Sequence, residues 1–371
     1  MSLRVAIVGC GKIADSHAEQ IRRIKGSDLV GVCDREELMA RQLAERFEAR
    51  RSFDDLAQLL EETRPEVVHI TTPPQSHFAI ARQCLDHGCH VYVEKPFTLD
   101  AHEAEELVAL AERKGLRLTV GHDFQFSPAA RHMRSLIHQG YLGDTIAHME
   151  SYYGYDLGDA TYARAFLGEN GHWVRKLPGG LAQNVISHGI ARIAELLSGE
   201  RPHVIAHGFV SPLLRSLGAD DVVDELRVIV VDERGTTAYF TFSSQIRPVL
   251  HQFRVFGSKN GLVLNELQQT VLKVRGSAFK SYVERFVPPI IFAKQYMANA
   301  ARNVRLFLAN DFHMDAGKKE LIAAFYRCIV DGTPPPIPSS EILRTARLMD
   351  AIFEQVGKSS SPAWSGEVVS C

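Results

Sequence analysis

Short apolar runs alternate with longer amphipathic segments over the first third of the chain. The apolar runs are typical of buried strands, and apolar positions at helical spacing lie between them. Strands that alternate with helices predict a parallel, doubly wound α/β sheet. The predicted strands are residues 3–8, 29–33, 66–70, 90–93 and 116–120.

Farther along the chain the predicted strands follow one another closely. The segments 232–235 and 257–261 are turn-forming sequences between two such strands. Strands joined by short turns pair antiparallel, unlike those of the first part. The predicted strands here are residues 145–155, 225–231, 236–242, 252–256, 261–264 and 270–274.

The segment 288–308 is amphipathic, and Phe292, Tyr296 and Val304 lie on its apolar face. We favour packing of this face within the chain, and a membrane surface or a second subunit is the alternative. Two further amphipathic helices are predicted over residues 315–330 and 342–356.

A glycine-rich loop follows the first predicted strand and precedes a helix. Gly9, Gly11 and Ala14 form the pattern G-x-G-x-x-A, which is typical of dinucleotide binding in this context. Gly9 permits a tight turn, and Gly11 lets the backbone approach a pyrophosphate at the helix amino terminus. Lys12 and Ile13 lie in the same loop and are further candidates for cofactor contact.

The second predicted strand ends at Asp34. A carboxylate at this position can hydrogen-bond the adenosine ribose and repel a 2′-phosphate, which favours NAD over NADP. Arg35 is adjacent and could cover the adenine or accept that phosphate, so NADP stays an alternative.

Lys95 follows the strand at 90–93 and precedes Pro96. Open α/β sheets bind ligands at the carboxyl ends of their strands. Burial there lowers the pKa of a lysine toward neutrality, which suits a proton-transfer group. A surface lysine that ends a strand is the alternative interpretation.

Together these segments resemble the glucose–fructose oxidoreductase/inositol dehydrogenase/MocA family. The resemblance covers residues 1–130 well and the remainder more loosely. The segments that carry it are Gly9-x-Gly11-x-x-Ala14, Thr72-Pro73-Pro74-x-x-His77, Glu94-Lys95-Pro96, and Gly121-His122 leading to Phe126-Ser127-Pro128.

The resemblance implies an NAD(P)-binding Rossmann domain over residues 1–125. It also implies an α/β domain over 126–371 with a large open, mainly antiparallel sheet that binds substrate and mediates oligomerisation. Homodimers or homotetramers are expected. The further cofactor-binding residues expected from the resemblance and the loop positions are Thr72, Pro73, His77, Glu94 and Lys95.

The family pattern also has a glycine pair, an acid and a histidine, matched here by Gly179-Gly180, Asn184 and His188. Positions i and i+4 share one face of a helix, so Asn184 and His188 are expected to point together into the site. The resemblance implies that His188 and Lys95 are catalytic. Asn184 departs from the pattern, because an amide can position a substrate hydroxyl but cannot act as a carboxylate. Gln125 is a second departure, where many relatives have arginine.

The segment between Tyr155 and Lys176 is rich in aromatic and basic residues and precedes the glycine pair. Trp173 and Arg175 are therefore candidate substrate contacts that would suit a nucleotide sugar or an acid sugar. A solvated loop with ordinary charges is the alternative.

Composition limits the partners of the chain. The formal net charge of −2 does not suggest a nucleic-acid surface. The six scattered cysteines lack the companions of a zinc site, so neither a metal site nor an oxidising compartment is indicated. The sequence has no apolar stretch long enough to span a membrane. A cytoplasmic location is expected.

The motifs, together with the family resemblance, imply an NAD-dependent oxidoreductase that transfers hydride to or from a secondary alcohol of a sugar, nucleotide sugar or cyclitol. Lys95 would take or give the hydroxyl proton, assisted by His188. An NAD-assisted glycoside hydrolase is one alternative, and a sensor that binds the dinucleotide without chemistry is another.

Overall fold

A computed structural model describes residues 2–167, 173–276, 282–313 and 315–358. It contains two sheets, each with its own hydrophobic core.

The first sheet has six parallel strands in the order β3-β2-β1-β4-β5-β6. This is the Rossmann strand order, with the reversal beside β1. The strands are β1 (Leu3–Val8), β2 (Ser27–Cys33), β3 (Ser52–Phe53), β4 (Val67–Ile70), β5 (His90–Val93) and β6 (Leu118–Val120). The helices between them are α1 (Lys12–Arg23), α2 (Glu37–Phe47), α3 (Leu56–Thr63), α4 (His77–Asp86) and α5 (Ala101–Lys114).

The second sheet has seven strands in the order β13-β12-β11-β7-β10-β9-β8. Only β7 and β10 pair parallel, and the other neighbours are antiparallel. The strands are β7 (Ile146–Gly154), β8 (His203–Phe209), β9 (Glu225–Val231), β10 (Thr237–Ser243), β11 (His251–Gly257), β12 (Asn260–Asn265) and β13 (Thr270–Arg275). The fold class predicted from the sequence, including the mainly antiparallel second sheet, is confirmed, although β3 and β8 were not predicted.

Among the described residues, helices cover one face of the second sheet and leave the other face open. Along β8 buried and exposed residues alternate strictly, as expected for a sheet with one solvated face. Ile205, Ile229 and Tyr239 lie on the open face. The remaining helices are α6 (Pro128–His138), α7 (Ala160–Leu167), α8 (Gly180–Val185), α9 (Ser187–Leu196), α10 (Pro212–Ser216), α11 (Val283–Leu308), α12 (Ala316–Val330) and α13 (Ser339–Lys358).

The long helix α11 lies against the edge strand β13. Asn299 bonds both the amide and the carbonyl of Val271, and Gln295 does the same for Lys273. These side-chain amides hydrogen-bond the outer edge of β13, which has no neighbouring strand among the described residues. The apolar stripe of α11 is exposed, as Tyr296 and Val304 illustrate, so our prediction that it packs within the chain is wrong.

Helix α12 returns to the first sheet. Leu321, Ile322 and Phe325 are buried in the same core as strands β1, β4 and β5. Within the described residues, no helix combines the length and apolarity needed to cross a membrane. The division of the chain at residues 125 and 126 stays a prediction.

Candidate active site

The glycine loop between β1 and α1 can hold a pyrophosphate. Gly9 has φ +96°, and a Cβ there would lie 2.6 Å from the amide nitrogen of Thr72, so only glycine fits. Gly11 precedes the first turn of α1, which has no side-chain cap, and a Cβ on Gly11 would meet nothing within 4 Å among the described residues. The helix amino terminus therefore presents its backbone N–H groups beside open space, which suits a phosphate.

Asp34 is fixed beside this loop at the end of β2. Its carboxylate accepts hydrogen bonds from the backbone amides of Cys10, at 2.7 Å, and Glu36, at 3.0 Å. A carboxylate has about four lone-pair sites, so it can still accept ribose hydroxyls. Lys12, Ile13 and Arg35 are exposed around the same opening. These residues fit a dinucleotide.

The loop after β4 is tied to the loop after β5 through His77. The buried ring of His77 lies 2.8 Å from the Thr72 carbonyl oxygen through Nε2 and 2.9 Å from the Pro96 carbonyl oxygen through Nδ1. Burial lowers the pKa of His77, and these carbonyls oppose that shift. Thr72 is partly buried and Pro73 is exposed at this edge of the sheet. The His77 ring thus lies between the two loops, and as a neutral imidazole it donates to one of these carbonyls at a time. Its contact with a cofactor stays a prediction.

Lys95 lies at the carboxyl edge of the first sheet. Its Nζ donates a hydrogen bond to the backbone carbonyl oxygen of Asn184 at 3.2 Å. Burial lowers the pKa of Lys95, and the Glu94 carboxylate opposes this shift. A lysine with a lowered pKa can exchange protons near neutral pH.

Glu94 is buried beneath Lys95 and faces two other groups. Its Oε1 lies 2.8 Å from His17 Nε2 and 3.6 Å from Lys318 Nζ. Burial disfavours the ionised carboxyl, but Lys318 and His17 outweigh it and hold the pKa of Glu94 well below its usual range. Glu94 is therefore an anion that supports Lys95 from within the protein.

A buried hydrogen-bonded chain continues from Glu94 into the core. His17 Nδ1 lies 2.9 Å from His69 Nδ1, and His69 Nε2 lies 2.8 Å from the hydroxyl of Tyr326. If Tyr326 donates to His69, His69 donates to His17, and His17 donates to Glu94, every contact is satisfied with both rings neutral. Burial, the largest influence, lowers the pKa of each histidine and agrees with neutral rings.

Helix α12 reaches the site because Gly317 permits a close approach. A Cβ on Gly317 would lie 2.3 Å from the backbone carbonyl oxygen of Asp123. The next residue, Lys318, is then placed against Glu94. The amino end of α12 thus supplies the counter-charge of the carboxylate beside the candidate catalytic lysine.

His188 lies on α9, opposite Lys95. Phe124 stacks on its ring with centroids 4.3 Å apart, and Tyr153 of β7 is a second stacked ring at 6.2 Å. Burial lowers the pKa of His188 well below its usual value, and the positive charge of Lys95 adds to this effect. The ring is therefore neutral, and stacking against Phe124 and Tyr153 restricts its orientation.

Asn184 and His188 do not belong to a single uninterrupted helix. Asn184 lies in α8 and His188 in α9, and Ile186 separates the two helices while keeping a right-handed helical backbone. Lys95 contacts the backbone carbonyl of Asn184, a contact that any residue at that position could make. The substrate contact of the Asn184 amide stays a prediction.

The two other predicted substrate residues precede α8. Arg175 Nη1 pairs with Asp221 Oδ2 at 2.5 Å, so an acid of the chain already faces its charge. The Trp173 side chain lies outside the described residues. Substrate binding by Trp173 and Arg175 stays a prediction.

The comparisons with known proteins agree with this geometry. Residues 3–122 match the model of an oxidoreductase family with an NAD-binding Rossmann fold. This family is the Gfo/Idh/MocA oxidoreductases, and residues 3–122 of the chain belong to it. The predicted family is thus confirmed, and the cofactor that characterises it is NAD.

Two relatives in this family illustrate the extent of the likeness. The scyllo-inositol 2-dehydrogenase (NAD(+)) of Bacillus subtilis is 25% identical over 333 residues, which are 87% of this chain and 93% of that protein. The UDP-N-acetylglucosamine 3-dehydrogenase of Acidithiobacillus ferrooxidans is 35% identical over 132 residues, which are 36% of this chain and 41% of that protein. The second match spans less than half of the relative's length.

A solved structure extends the likeness to both sheets. The WlbA dehydrogenase from Bordetella pertussis, in complex with NADH and UDP-GlcNAcA, superposes with a TM-score of 0.76 at 17% identity. The superposition covers 96% of each chain. At this identity the likeness establishes the fold.

Several residues at the site were not singled out from the sequence. Asp123 follows β6 at the same sheet edge as Lys95, so its position was available as a signal. Lys318, His17 and His69 carried no local signal, because they meet Glu94 and one another only through tertiary packing.

Proposed function

We propose that the protein is an NAD-dependent oxidoreductase acting on a secondary alcohol of a sugar, nucleotide sugar or cyclitol. The proposal depends mainly on the position and the lowered pKa of Lys95. Its amine has a lowered pKa and lies at the carboxyl edge of the Rossmann sheet, the same edge as the glycine loop. The names of the relatives support the same reaction class.

In the proposed oxidation the substrate O–H and C–H bonds break and a carbonyl forms. NAD⁺, held by the glycine loop and Asp34, would supply the acceptor for the hydride that leaves the carbon. Lys95 accepts the hydroxyl proton, and His188 directs a ring nitrogen at the reacting region. Glu94 stays ionised and stabilises the ammonium that Lys95 becomes. Reduction runs through the same residues in reverse.

The second sheet offers a surface for the substrate ring. Tyr153 and His251 stack in parallel with centroids 4.4 Å apart, beside Phe124 and His188. Aromatic faces of this kind pack against the apolar C–H face of a sugar while polar groups bind its hydroxyls. We infer that β7 and β11 form the substrate wall opposite the cofactor.

The dinucleotide would be NAD rather than NADP. Asp34 is fixed by two backbone amides and keeps lone pairs that could accept the ribose hydroxyls, and its charge would repel a 2′-phosphate. The exposed Arg35 keeps NADP as the second candidate.

We also propose a homodimer or homotetramer formed through the second sheet. Its open face carries Ile205, Phe209, Ile229 and Tyr239, whose exposure is unfavourable in a monomer. The proposed location is the cytoplasm.

The first prediction concerns Lys95. Replacing Lys95 by Ala should lower kcat about 1,000-fold, because general acid–base assistance contributes about 100- to 10,000-fold. The variant should still bind NADH, which fluorescence titration measures. Lys25→Ala, at an exposed position, is the control.

The assay is NADH absorbance with a panel of sugars, nucleotide sugars and inositols. Normal turnover by the Lys95 variant would contradict the proposed mechanism. Product release without net NADH change would instead favour the hydrolase, and tight NADH binding without any turnover would favour a sensor.

A further inference from the structure

His188 needs a partner for its second ring nitrogen. Its Nδ1 is buried and finds no hydrogen-bond partner among the described residues. A neutral imidazole carries its proton on either Nδ1 or Nε2. A hydrogen-bond acceptor beside one of these nitrogens favours the tautomer with the proton on that nitrogen. Asn184, four residues earlier, carries an amide and not a carboxylate.

A carboxylate does lie next to that nitrogen, but it comes from the first sheet. Asp123 Oδ1 is 3.9 Å from His188 Nδ1. Asp123 begins the short helix Asp123–Phe126 that follows β6, and its side chain is 18% exposed. Its carboxylate accepts no hydrogen bond from any other residue in the described part of the chain.

We propose that Asp123 orients His188 and supplies the negative charge that Asn184 cannot. This inference deepens the proposed function and takes its catalytic meaning from it. The 3.9 Å separation exceeds the roughly 3.2 Å limit of a hydrogen bond, and rotation of the carboxyl group can close it. Catalytic hydrogen bonds are commonly long before substrate binds.

The contact would fix the function of the other ring nitrogen. If Nδ1–H donates to Asp123, Nε2 carries the lone pair and accepts a hydrogen bond from a substrate hydroxyl or from the Lys95 ammonium. His188 forms no covalent bond in this arrangement. Its Nε2 only shares, through a hydrogen bond, the proton that the substrate hydroxyl gives up. Asp123 therefore acts as a positioning residue, through His188.

The surroundings of Asp123 set the pH at which this contact exists. Burial, the largest influence, raises the pKa of Asp123 to about 7, and Lys318 opposes it. The charged and titratable groups around Asp123 are Tyr92 on β5, Glu94 and Lys95 after β5, His122, His188 on α9, Tyr153 on β7, and Asp315 and Lys318 at the start of α12. A raised carboxyl pKa means that the anion, and with it the contact, is gained as pH rises through about 7.

The first test needs no substrate. Full-length protein labelled with ¹⁵N-histidine would be studied by NMR at about pH 8, and the signals of His188 would be assigned by their loss in His188→Gln. We expect the Nδ1–H tautomer in the wild type and loss of that preference in Asp123→Asn. An Nε2–H tautomer in the wild type would overturn the proposal even if the variant failed to fold.

The second test is kinetic. Asp123→Asn should lower kcat about 100-fold at a KM changed less than about threefold, the lower end of general acid–base assistance. We expect the kcat of the wild type to rise with pH as Lys95 and Asp123 lose protons. The component of this rise near pH 7, which comes from Asp123, should be lost in Asp123→Asn. Asp315→Asn, which removes a neighbouring carboxylate, should keep this component.

An unchanged pH profile in Asp123→Asn would contradict the proposal. If the wild type turns over no member of the substrate panel, the proposed function fails, and the tautomer of His188 still decides the role of Asp123.

Discussion

Glu94 shows how a motif residue depends on groups far away in sequence. The sequence predicted Glu94 and Lys95 from their place after a strand, because three adjacent residues carry that signal. It could not predict Lys318, His17 or the Asp123–His188 contact, since these pairs arise from packing between distant elements. Local motifs thus locate the site, and tertiary contacts set its charges.

The Lys318–Glu94 pair should contribute strongly to stability. Replacing Lys318 by Met leaves a buried carboxylate without its cation, which we expect to lower the free energy of unfolding by about 3 kcal/mol. Urea unfolding followed by circular dichroism measures this change. Lys319→Met is the matched control, because its partner Asp311 is largely exposed and such pairs contribute about 1 kcal/mol or less. Equal losses in both variants would contradict the buried role of Lys318.

At the scale of elements, short apolar runs bounded by turn residues predicted five of the six Rossmann strands, and β3 was missed because it has only two residues. Periodicity failed for α11, where a regular apolar stripe was assigned to the core but is exposed. The spacing of the apolar residues correctly predicts an amphipathic helix. It does not predict which surface packs against the apolar face. The place of α12 against the 3-10 helix after β6 depends instead on one small residue, Gly317.

Gly317→Ala should therefore displace the amino end of α12. The new methyl group would lie 2.3 Å from the Asp123 carbonyl oxygen, a backbone atom that cannot swing aside. We expect a loss of about 2 kcal/mol in unfolding free energy. The same shift moves Lys318 from Glu94, so the activity should fall as well.

Gly276→Ala is the control for this prediction, because the nearest atom to a Cβ there is 3.6 Å away. Thermal unfolding of both variants measures the difference. A Gly317 variant as stable as the control would show that α12 does not need this close approach.

At the scale of the whole molecule, the two sheets are joined by helices from late in the chain. Arg347 of α13 pairs with Glu105 of α5, and Asp350 of α13 accepts a hydrogen bond from the amide of Ala101. Helix α12 contributes Leu321, Ile322 and Phe325 to the core of the first sheet. The sequence predicted both sheets but not this return of the chain, because an amphipathic helix does not specify which sheet it covers.

Residues 1–125 expressed alone should therefore not form a stable domain. They lack the apolar side chains of α12 that fill their core, and large cavities in a core cost several kcal/mol. Near-ultraviolet circular dichroism and binding of a hydrophobic dye should reveal loose packing. A fragment with α12 fused by a flexible linker is the control and should pack more tightly. A cooperative, dye-free fragment 1–125 would contradict this expectation.

The packing of α12 against the first sheet also determines when the active site can form during synthesis of the chain. A ribosome releases the glycine loop, Glu94 and Lys95 long before Gly317 and Lys318 emerge. Until then the Rossmann strands have an unfinished core and Glu94 has no lysine from α12 opposite it. A polypeptide cut short before α12 would therefore carry every cofactor motif and still lack a functional proton-transfer centre.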